Sequence, residues 1–284
     1  MKAVPSLIKQ HKPKNEEIWY HYCSADSFMA ITKNKTLRFC DLRHMNDITE
    51  LSHGEKLLDE MLDNIVLSIE LRTVIRTVLD FFRNRTLLLS MSFSENEDQL
   101  SQWRGYADDG NGFCVGFRAK DLNTLPSHLL KVEYNIDKQK QLIENAIRKI
   151  TKQLATGFDF KSALWIVELF ELFSMMKNKS FKEESEFRLV RAIFVDAENG
   201  GRLYDISKQD NTYKDGIKDI DFRLDRMVPT PFVDVDYSAQ NTINPIKRVI
   251  IGPKNKSRIM DIELFLATLG LSNVAIKKSD SSYR

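Results

Sequence analysis

Two glutamates separated by one residue, Glu184 and Glu186, are the side chains of this sequence best suited to acid–base or electrostatic chemistry. They precede an apolar, β-branched stretch that predicts a strand over 186–195. Side chains two apart on a strand project from the same face, so both carboxylates are expected at one strand end. A carboxylate held there can serve as a general base or a hydrogen-bond acceptor. Arg188 and Arg191 follow closely, and a structural ion-pair network is the alternative interpretation.

A second group of polar and aromatic residues follows another apolar run. Ser92 and Ser94 end that run, and a short helical pattern over 99–107 comes next. Trp103 and Tyr106 are three apart in this pattern, so they share one face of the helix. The pair can stack on a planar ligand such as nicotinamide or adenine. The alternative is that Trp103 anchors the helix in the core.

His21 and Tyr22 belong to a short aromatic strand near the beginning of the chain. A histidine in such a strand is a candidate ligand contact or a structural residue. Together with Cys23, Cys40 and His44 it supplies residue types that bind zinc. The spacing matches no closed zinc motif, and we predict no metal.

The elements that must position these residues are read from hydrophobic periodicity and turn signals. Strands are expected at 18–23, 37–40, up to 93, 113–117, 186–195, 222–228, 232–235 and 249–251. Helices are expected between the N-cap Ser24 and Lys33 and at 49–65, 67–82, 99–107, 137–155, 160–177 and 259–269. Strands before and after a helical block predict an α+β fold with one split, mostly antiparallel sheet. We expect a polar, loosely held arm over 1–17 and one domain over 18–284, with a helical insertion at about 137–178.

Composition sets broad limits on function. The chain has 42 Lys and Arg against 40 Asp and Glu, a net charge of +2 that argues neither for nor against nucleic acid as a partner. Three cysteines are too few for a disulfide framework. The sequence has no stretch that resembles a signal peptide or a membrane span, so a cytoplasmic location with no membrane partner is expected.

The order of the short motifs resembles the DUF2971 family. The matching segments are Tyr20-His21-Tyr22, 43–47 (which includes Asn46 and Asp47), Ser92-Phe93-Ser94, 102–106, 112–117, 184–188 and 250–252. This family in turn resembles the ADP-ribosyltransferase fold, which cleaves NAD at its nicotinamide glycosidic bond. The resemblance therefore implies a split sheet of ADP-ribosyltransferase type.

The resemblance also implies roles for individual residues. His21 would hold the adenosine-side ribose or the diphosphate, and Ser92 and Ser94 would order the nicotinamide pocket. Glu186 would bind the nicotinamide ribose and stabilise an oxocarbenium-like transition state, and Glu184 would assist. The remaining residues expected to contact NAD are Tyr22, Asn46, Asp47, Trp103, Tyr106 and Arg188. The first-strand histidine is typical of one branch of that fold, whereas Ser-x-Ser together with Glu-x-Glu is typical of another, so the sequence combines features of both.

The function implied is NAD-dependent ADP-ribosyl transfer or NAD hydrolysis, with NAD as substrate and no metal. Such enzymes are used as bacterial toxins or phage-defence effectors. The acceptor is open: protein, nucleic acid, a small molecule and water all remain. The alternative is a non-catalytic module that binds a nucleotide or nucleic acid in the same cleft. A third possibility is a metal-dependent nuclease built on Asp47 and Glu50, which is disfavoured because the sequence shows no clean acidic cluster.

Overall fold

The fold was analysed in a computed structural model that describes residues 6–44, 50–64, 67–155, 157, 160–196, 202–205, 220–225, 227–239 and 244–283. These residues form one 11-stranded sheet with helices packed against it. The strands are β1 (Ile18–Cys23), β2 (Thr36–Asp41), β3 (Thr86–Ser94), β4 (Phe113–Arg118), β5 (His128–Lys131), β6 (Glu186–Asp196), β7 (Arg202–Asp205), β8 (Asp221–Asp225), β9 (Val228–Asp236), β10 (Ile246–Ile251) and β11 (Ala275–Lys278).

Helices connect the strands and cover both faces of the sheet. The α-helices are α1 (Ala25–Asn34), α2 (Glu50–Asn64), α3 (Ile69–Arg83), α4 (Leu100–Tyr106), α5 (Ala119–Leu122), α6 (Ile136–Leu154), α7 (Phe160–Ser174) and α8 (Ile259–Thr268). Short 3-10 helices occupy Leu42–His44, Asp108–Gly110 and Lys179–Glu184. In the described part of the chain, none of the helices combines the length and apolar character needed to cross a membrane.

The sheet branches at β3. Its main path runs β11-β10-β4-β1-β3-β2-β9-β8, and β6 pairs with β3 along the opposite edge of that strand. β6 also pairs with β5 and β7. β10 and β11 are parallel, whereas the other pairs are antiparallel. The predicted mixed α+β class with a mostly antiparallel sheet is therefore confirmed.

Side-chain alternation along β3 and β6 separates two hydrophobic cores. Phe93 and Leu189 belong to the core that includes residues of α1, α5 and α8. Leu88 and Val190 belong to the core formed with α2, α3, α6 and α7. Because side chains two apart share a face, Glu186 lies on the same side of β6 as Val190. That carboxylate therefore points towards the layer of four helices.

Local sequence signals explain several element boundaries. Ser24 caps α1 by accepting a hydrogen bond from the backbone N–H of Ser27. The predicted strand over 222–228 is two strands, because Met227 takes a left-handed conformation with φ of 69° between β8 and β9. Strands β5, β7 and β11 were not expected; each has only four residues.

Residues 6–17 contact the rest of the fold at several points. The side chain of Ile8 is buried. The backbone N–H of Leu7 donates to the buried Glu168 carboxylate, and that of His11 donates to the Leu129 carbonyl. The polar composition of this segment does not reveal the burial of Ile8 or these two backbone hydrogen bonds.

Candidate active site

The sheet opens on one side of β3. Tyr20 of β1 pairs with Ser94, and Cys40 of β2 pairs with Ser90. Among the described residues, no strand pairs with residues 91–93 on this side. β1 and β2 therefore diverge there and leave a gap in the sheet. This gap positions side chains from strands that are far apart in sequence around one space.

A cavity of about 410 Å³ occupies this opening. Its size is within the range of pockets that bind small molecules and cofactors. It is lined by residues of β1, α1, β2, β3, α4, β6, β8 and β9 and of the connection before β6. The predicted site residues that line it are His21, Tyr22, Ser92, Ser94, Tyr106, Glu184, Glu186 and Arg188.

Glu186 is a buried, ion-paired carboxylate at the start of β6. Arg188 donates to both of its oxygens, at 2.7 and 2.8 Å, and Lys177 donates at 3.3 Å. Burial alone would raise the pKa of Glu186, but Arg188, Lys177 and a hydrogen bond from Ser92 outweigh it and lower the pKa well below its usual range. Glu186 is thus ionised at neutral pH.

Glu184 is the more exposed of the two carboxylates. It ends the 3-10 helix before β6, and Ser185, with φ of 44°, turns the chain into the strand. Both carboxylates reach the same Lys177 because of this turn, and not because both belong to one strand face as the sequence predicted. The Glu184 carboxylate accepts a hydrogen bond from the Lys177 ammonium at 2.6 Å and another from the Tyr106 hydroxyl at 2.9 Å.

The pKa of Glu184 is shifted in the opposite direction to that of Glu186. Burial raises the pKa of Glu184, and the charge of Glu186 adds to this, while Lys177 and Tyr106 oppose it. The two neighbouring carboxyls therefore differ in their ease of protonation. Such a pair can combine a permanent anion with a group that exchanges protons.

His21 bridges the gap between β1 and β3. Its Nδ1 lies 2.9 Å from the carbonyl oxygen of Ser92. A carbonyl oxygen only accepts, so Nδ1 carries the proton. Burial lowers the pKa of His21, and the Ser92 hydrogen bond offsets this only in part. The ring is therefore neutral at pH 7, and Nε2 is an acceptor.

Ser94 and Tyr22 support the site through the backbone. The Ser94 hydroxyl donates to the Glu184 carbonyl at 2.7 Å. The Tyr22 hydroxyl donates to the Asn96 carbonyl and accepts from the Gln99 N–H. The Ser94 contact joins β3 to the 3-10 helix that ends at Glu184, and the Tyr22 contacts hold the connection between β3 and α4 against β1. They fix the helix that carries Tyr106.

Trp103 is not brought into the cavity lining. It is fully buried, its indole N–H donates to Asp98, and its ring makes an edge contact with Tyr22. Trp103 therefore anchors α4 in the core, which was the alternative interpretation of its spacing. Asn46 and Asp47 lie outside the described residues. In the described chain, no three His, Cys, Asp or Glu side chains converge as a metal-ion site would require.

Three cationic lining residues escaped the sequence analysis: Lys177, Arg38 and Arg223. Lys177 follows α7 by three residues and belongs to no recognisable motif. Arg38 and Arg223 are charged positions within short strands, where such residues usually face solvent. The signal that could have pointed to Arg38 is its position as a single charged residue between the apolar residues Leu37 and Phe39.

Comparison with known families gives one match. Residues 102–189 match a family described as Protein of unknown function (DUF2971). No curated protein and no solved structure matches the chain. The matched segment includes Tyr106, Lys177, Glu184 and Glu186, and it supports the resemblance to DUF2971 over that part of the chain. The match assigns no activity.

Proposed function

We propose that the chain binds NAD in the cavity between β1 and β2 and cleaves the bond between nicotinamide and ribose. The ADP-ribosyl group then passes to an acceptor or to water. One observation carries the proposal: His21, Ser92 and Glu186, which come from three separate strands, line a single cavity. Their convergence is what an ADP-ribosyltransferase-like site would require, and it supports that resemblance.

The proposed chemistry depends on charge. Cleavage of the glycosidic bond develops positive charge on the ribose, because nicotinamide leaves with the bonding electrons. An ionised carboxylate in a poorly hydrated cleft stabilises that charge, and such preorganised groups lower barriers by a few kcal/mol. Glu186 is ionised and buried, so it supplies this contribution. It acts mainly on the transition state and therefore on turnover.

Glu184 is assigned the proton-exchanging role. Its pKa is raised, so it is the better base of the two carboxylates. In this position it takes a proton from the attacking acceptor or water. Tyr106 and Lys177, both bonded to its carboxylate, hold it in place. The resemblance implies toxin or phage-defence use of this reaction, and the acceptor remains open.

A non-catalytic nucleotide-binding module is the second candidate, and one observation favours it. Both oxygens of Glu186 already accept hydrogen bonds from Arg188, and Lys177 donates to one of them. A carboxylate engaged in this way can be purely structural. In that case the cavity would bind the nucleotide and release it unchanged.

Incubation with NAD that carries a label on its adenine separates these candidates. The enzyme is expected to release free nicotinamide and to leave the label on ADP-ribose or on an acceptor macromolecule. The binding module is expected to retain labelled NAD saturably with no nicotinamide release. Absence of both retention and release would overturn the proposed function.

A further inference from the structure

The cavity has a second end, formed by β2, β8 and β9, whose chemistry differs from that of the glutamate end. Two arginines line it, Arg38 and Arg223, together with Asp225 and Asp234. Thr36 and Asn34 border the same cavity. No role in the reaction at Glu186 accounts for these residues.

Arg38 is held in a fixed orientation with part of its guanidinium open. Its Nε and Nη2 donate to the two oxygens of Asp234 at 2.8 and 2.9 Å. The guanidinium lies over the ring of Phe232, 3.7 Å from its centre. Its side chain is 45% exposed, and among the described residues Nη1 has no partner. A rigid planar donor of this kind suits phosphate oxygens.

Arg223 is less firmly held. Its Nη2 lies 3.8 Å from Asp225, beyond hydrogen-bond distance, and its side chain is 43% exposed. Arg38 pairs with Asp234 of β9, and Arg223 pairs with Thr230 of the same strand. Positions 230 and 234 share a face of β9, so both arginines lie on one face of the sheet and border the same cavity. An anion in that part of the cavity can therefore meet both.

Lys177, Arg188 and His21, which also line the cavity, fit a phosphate less well. Lys177 and Arg188 donate to the carboxylates of Glu184 and Glu186. The neutral ring of His21 presents Nε2 as an acceptor, which repels the acceptor oxygens of a phosphate. The same atom suits a ribose hydroxyl, which can donate to it.

We propose that the diphosphate of the dinucleotide binds at Arg38 and Arg223, with a ribose hydroxyl at His21 and the glycosidic bond at Glu186. This inference rests on the proposed function, since it assigns a subsite within the same cavity. It replaces His21 as the diphosphate ligand. Asp225 and Asp234 orient the arginines and offset part of their charge, so they moderate the affinity.

Calorimetric titration with ADP-ribose tests the subsite, because this ligand carries the diphosphate but has no nicotinamide to lose. Arg38→Gln and Arg223→Gln are each expected to weaken binding on the order of tenfold to a hundredfold, the value of hydrogen bonds to charged groups. Adenosine, which lacks phosphate, should bind all proteins alike. Asp225→Asn releases Arg223 and is expected to strengthen ADP-ribose binding severalfold, a gain that misfolding cannot produce.

Arg118→Gln is the matched control. Arg118 makes the same two-bond pair with Asp121, through Nε and Nη2, and is not among the residues that line the cavity. Parental ADP-ribose affinity in this variant shows that losing an Arg–Asp pair is not itself the cause. Tight binding by the parent with unchanged affinity in Arg38→Gln and Arg223→Gln would overturn the subsite alone. No binding of ADP-ribose by the parent would overturn the proposed function and the subsite together.

Discussion

The Arg188 guanidinium donates two hydrogen bonds to the Glu186 carboxylate, Nε to Oε1 at 2.7 Å and Nη2 to Oε2 at 2.8 Å. Both side chains are almost fully removed from solvent. Arg188 also donates to the carbonyl of Ser174 at the end of α7. The ion pair therefore connects the first residues of β6 to the layer of helices.

Arg188→Met is expected to lower the free energy of unfolding by roughly 3–5 kcal/mol, because it leaves a buried carboxylate without its main partner. Urea denaturation measures this loss. Arg118→Met removes a similar but more exposed pair and should cost no more than about 1 kcal/mol. The double variant Arg188→Met with Glu186→Gln should recover part of the loss. Equal stabilities of Arg188→Met and the parent would show that the pair contributes nothing.

Lys177→Met is expected to raise the pKa of Glu184 further. The Lys177 ammonium lies 2.6 Å from the Glu184 carboxylate and favours its charged form, so its removal favours the proton. A carbon-13 NMR titration of the Glu184 side chain follows the change. Lys138→Met, which removes an exposed lysine of α6, should leave the titration unmoved. An unchanged or lower pKa in Lys177→Met would contradict the arrangement of the site.

Glu168 predicts a pH dependence of stability away from the cavity. Burial raises its pKa to about 7, with Glu171 adding to the effect, while the Leu7 N–H, the Ser6 hydroxyl and His128 oppose it. Between about pH 4.5 and 7, the folded state therefore keeps a proton on Glu168 that the unfolded chain has already released. This contribution to stability is fully present below that window and is lost as pH rises through it.

Glu168→Gln is accordingly expected to flatten the dependence of stability on pH across this window and to be more stable than the parent at pH 8. The expected difference at pH 8 is on the order of 3 kcal/mol. Chemical denaturation at several pH values measures it. Glu144→Gln, an exposed change on α6, should retain the parental profile. An identical slope in Glu168→Gln and the parent would contradict the assignment.

His21 leads to a prediction about ligand binding. Because burial lowers the pKa of His21, its ring is neutral at pH 7, and ADP-ribose affinity should change little between pH 6.5 and 8. The free ligand's diphosphate is fully charged throughout that range, so it adds no slope. Titration calorimetry at three pH values is sufficient. An affinity that rises towards pH 6.5 in the parent but not in His21→Asn would show that a charged histidine binds the phosphates.

The sequence predicted those parts of the fold that local patterns determine. The strand over 18–23 is β1 within the same bounds, and Gly270, which directly follows the helix predicted over 259–269, has a left-handed φ of 73°. The helices predicted over 137–155 and 160–177 are α6 and α7. Their periodicity and caps are local properties of the chain.

The remaining features depend on long-range pairing that no local pattern encodes. The opening beside β3 exists because β1 pairs with the last residue of that strand and β2 pairs with its middle. Lys177 enters the site only because α7 packs on β6. Trp103, expected from its spacing to face a ligand with Tyr106, is instead enclosed against Tyr22. Helical spacing identifies a shared face, but it does not identify what that face contacts.

The rate of nicotinamide release from NAD by Glu186→Gln, compared with the parent at pH 7, tests the central claim most directly. The substitution keeps the size of the side chain and removes the charge that stabilises the transition state. It also removes the negative charge that pairs with Arg188 and Lys177, so both proteins are compared below their melting temperatures, and ADP-ribose affinity verifies an intact cavity.

Glu183→Gln is the control, since Glu183 is exposed on the same 3-10 helix and is not among the residues that line the cavity. We expect parental nicotinamide release from Glu183→Gln. From Glu186→Gln we expect a loss of roughly two to three decades in turnover, with ADP-ribose affinity retained within a few-fold. Nicotinamide release at the parental rate by Glu186→Gln would contradict the account.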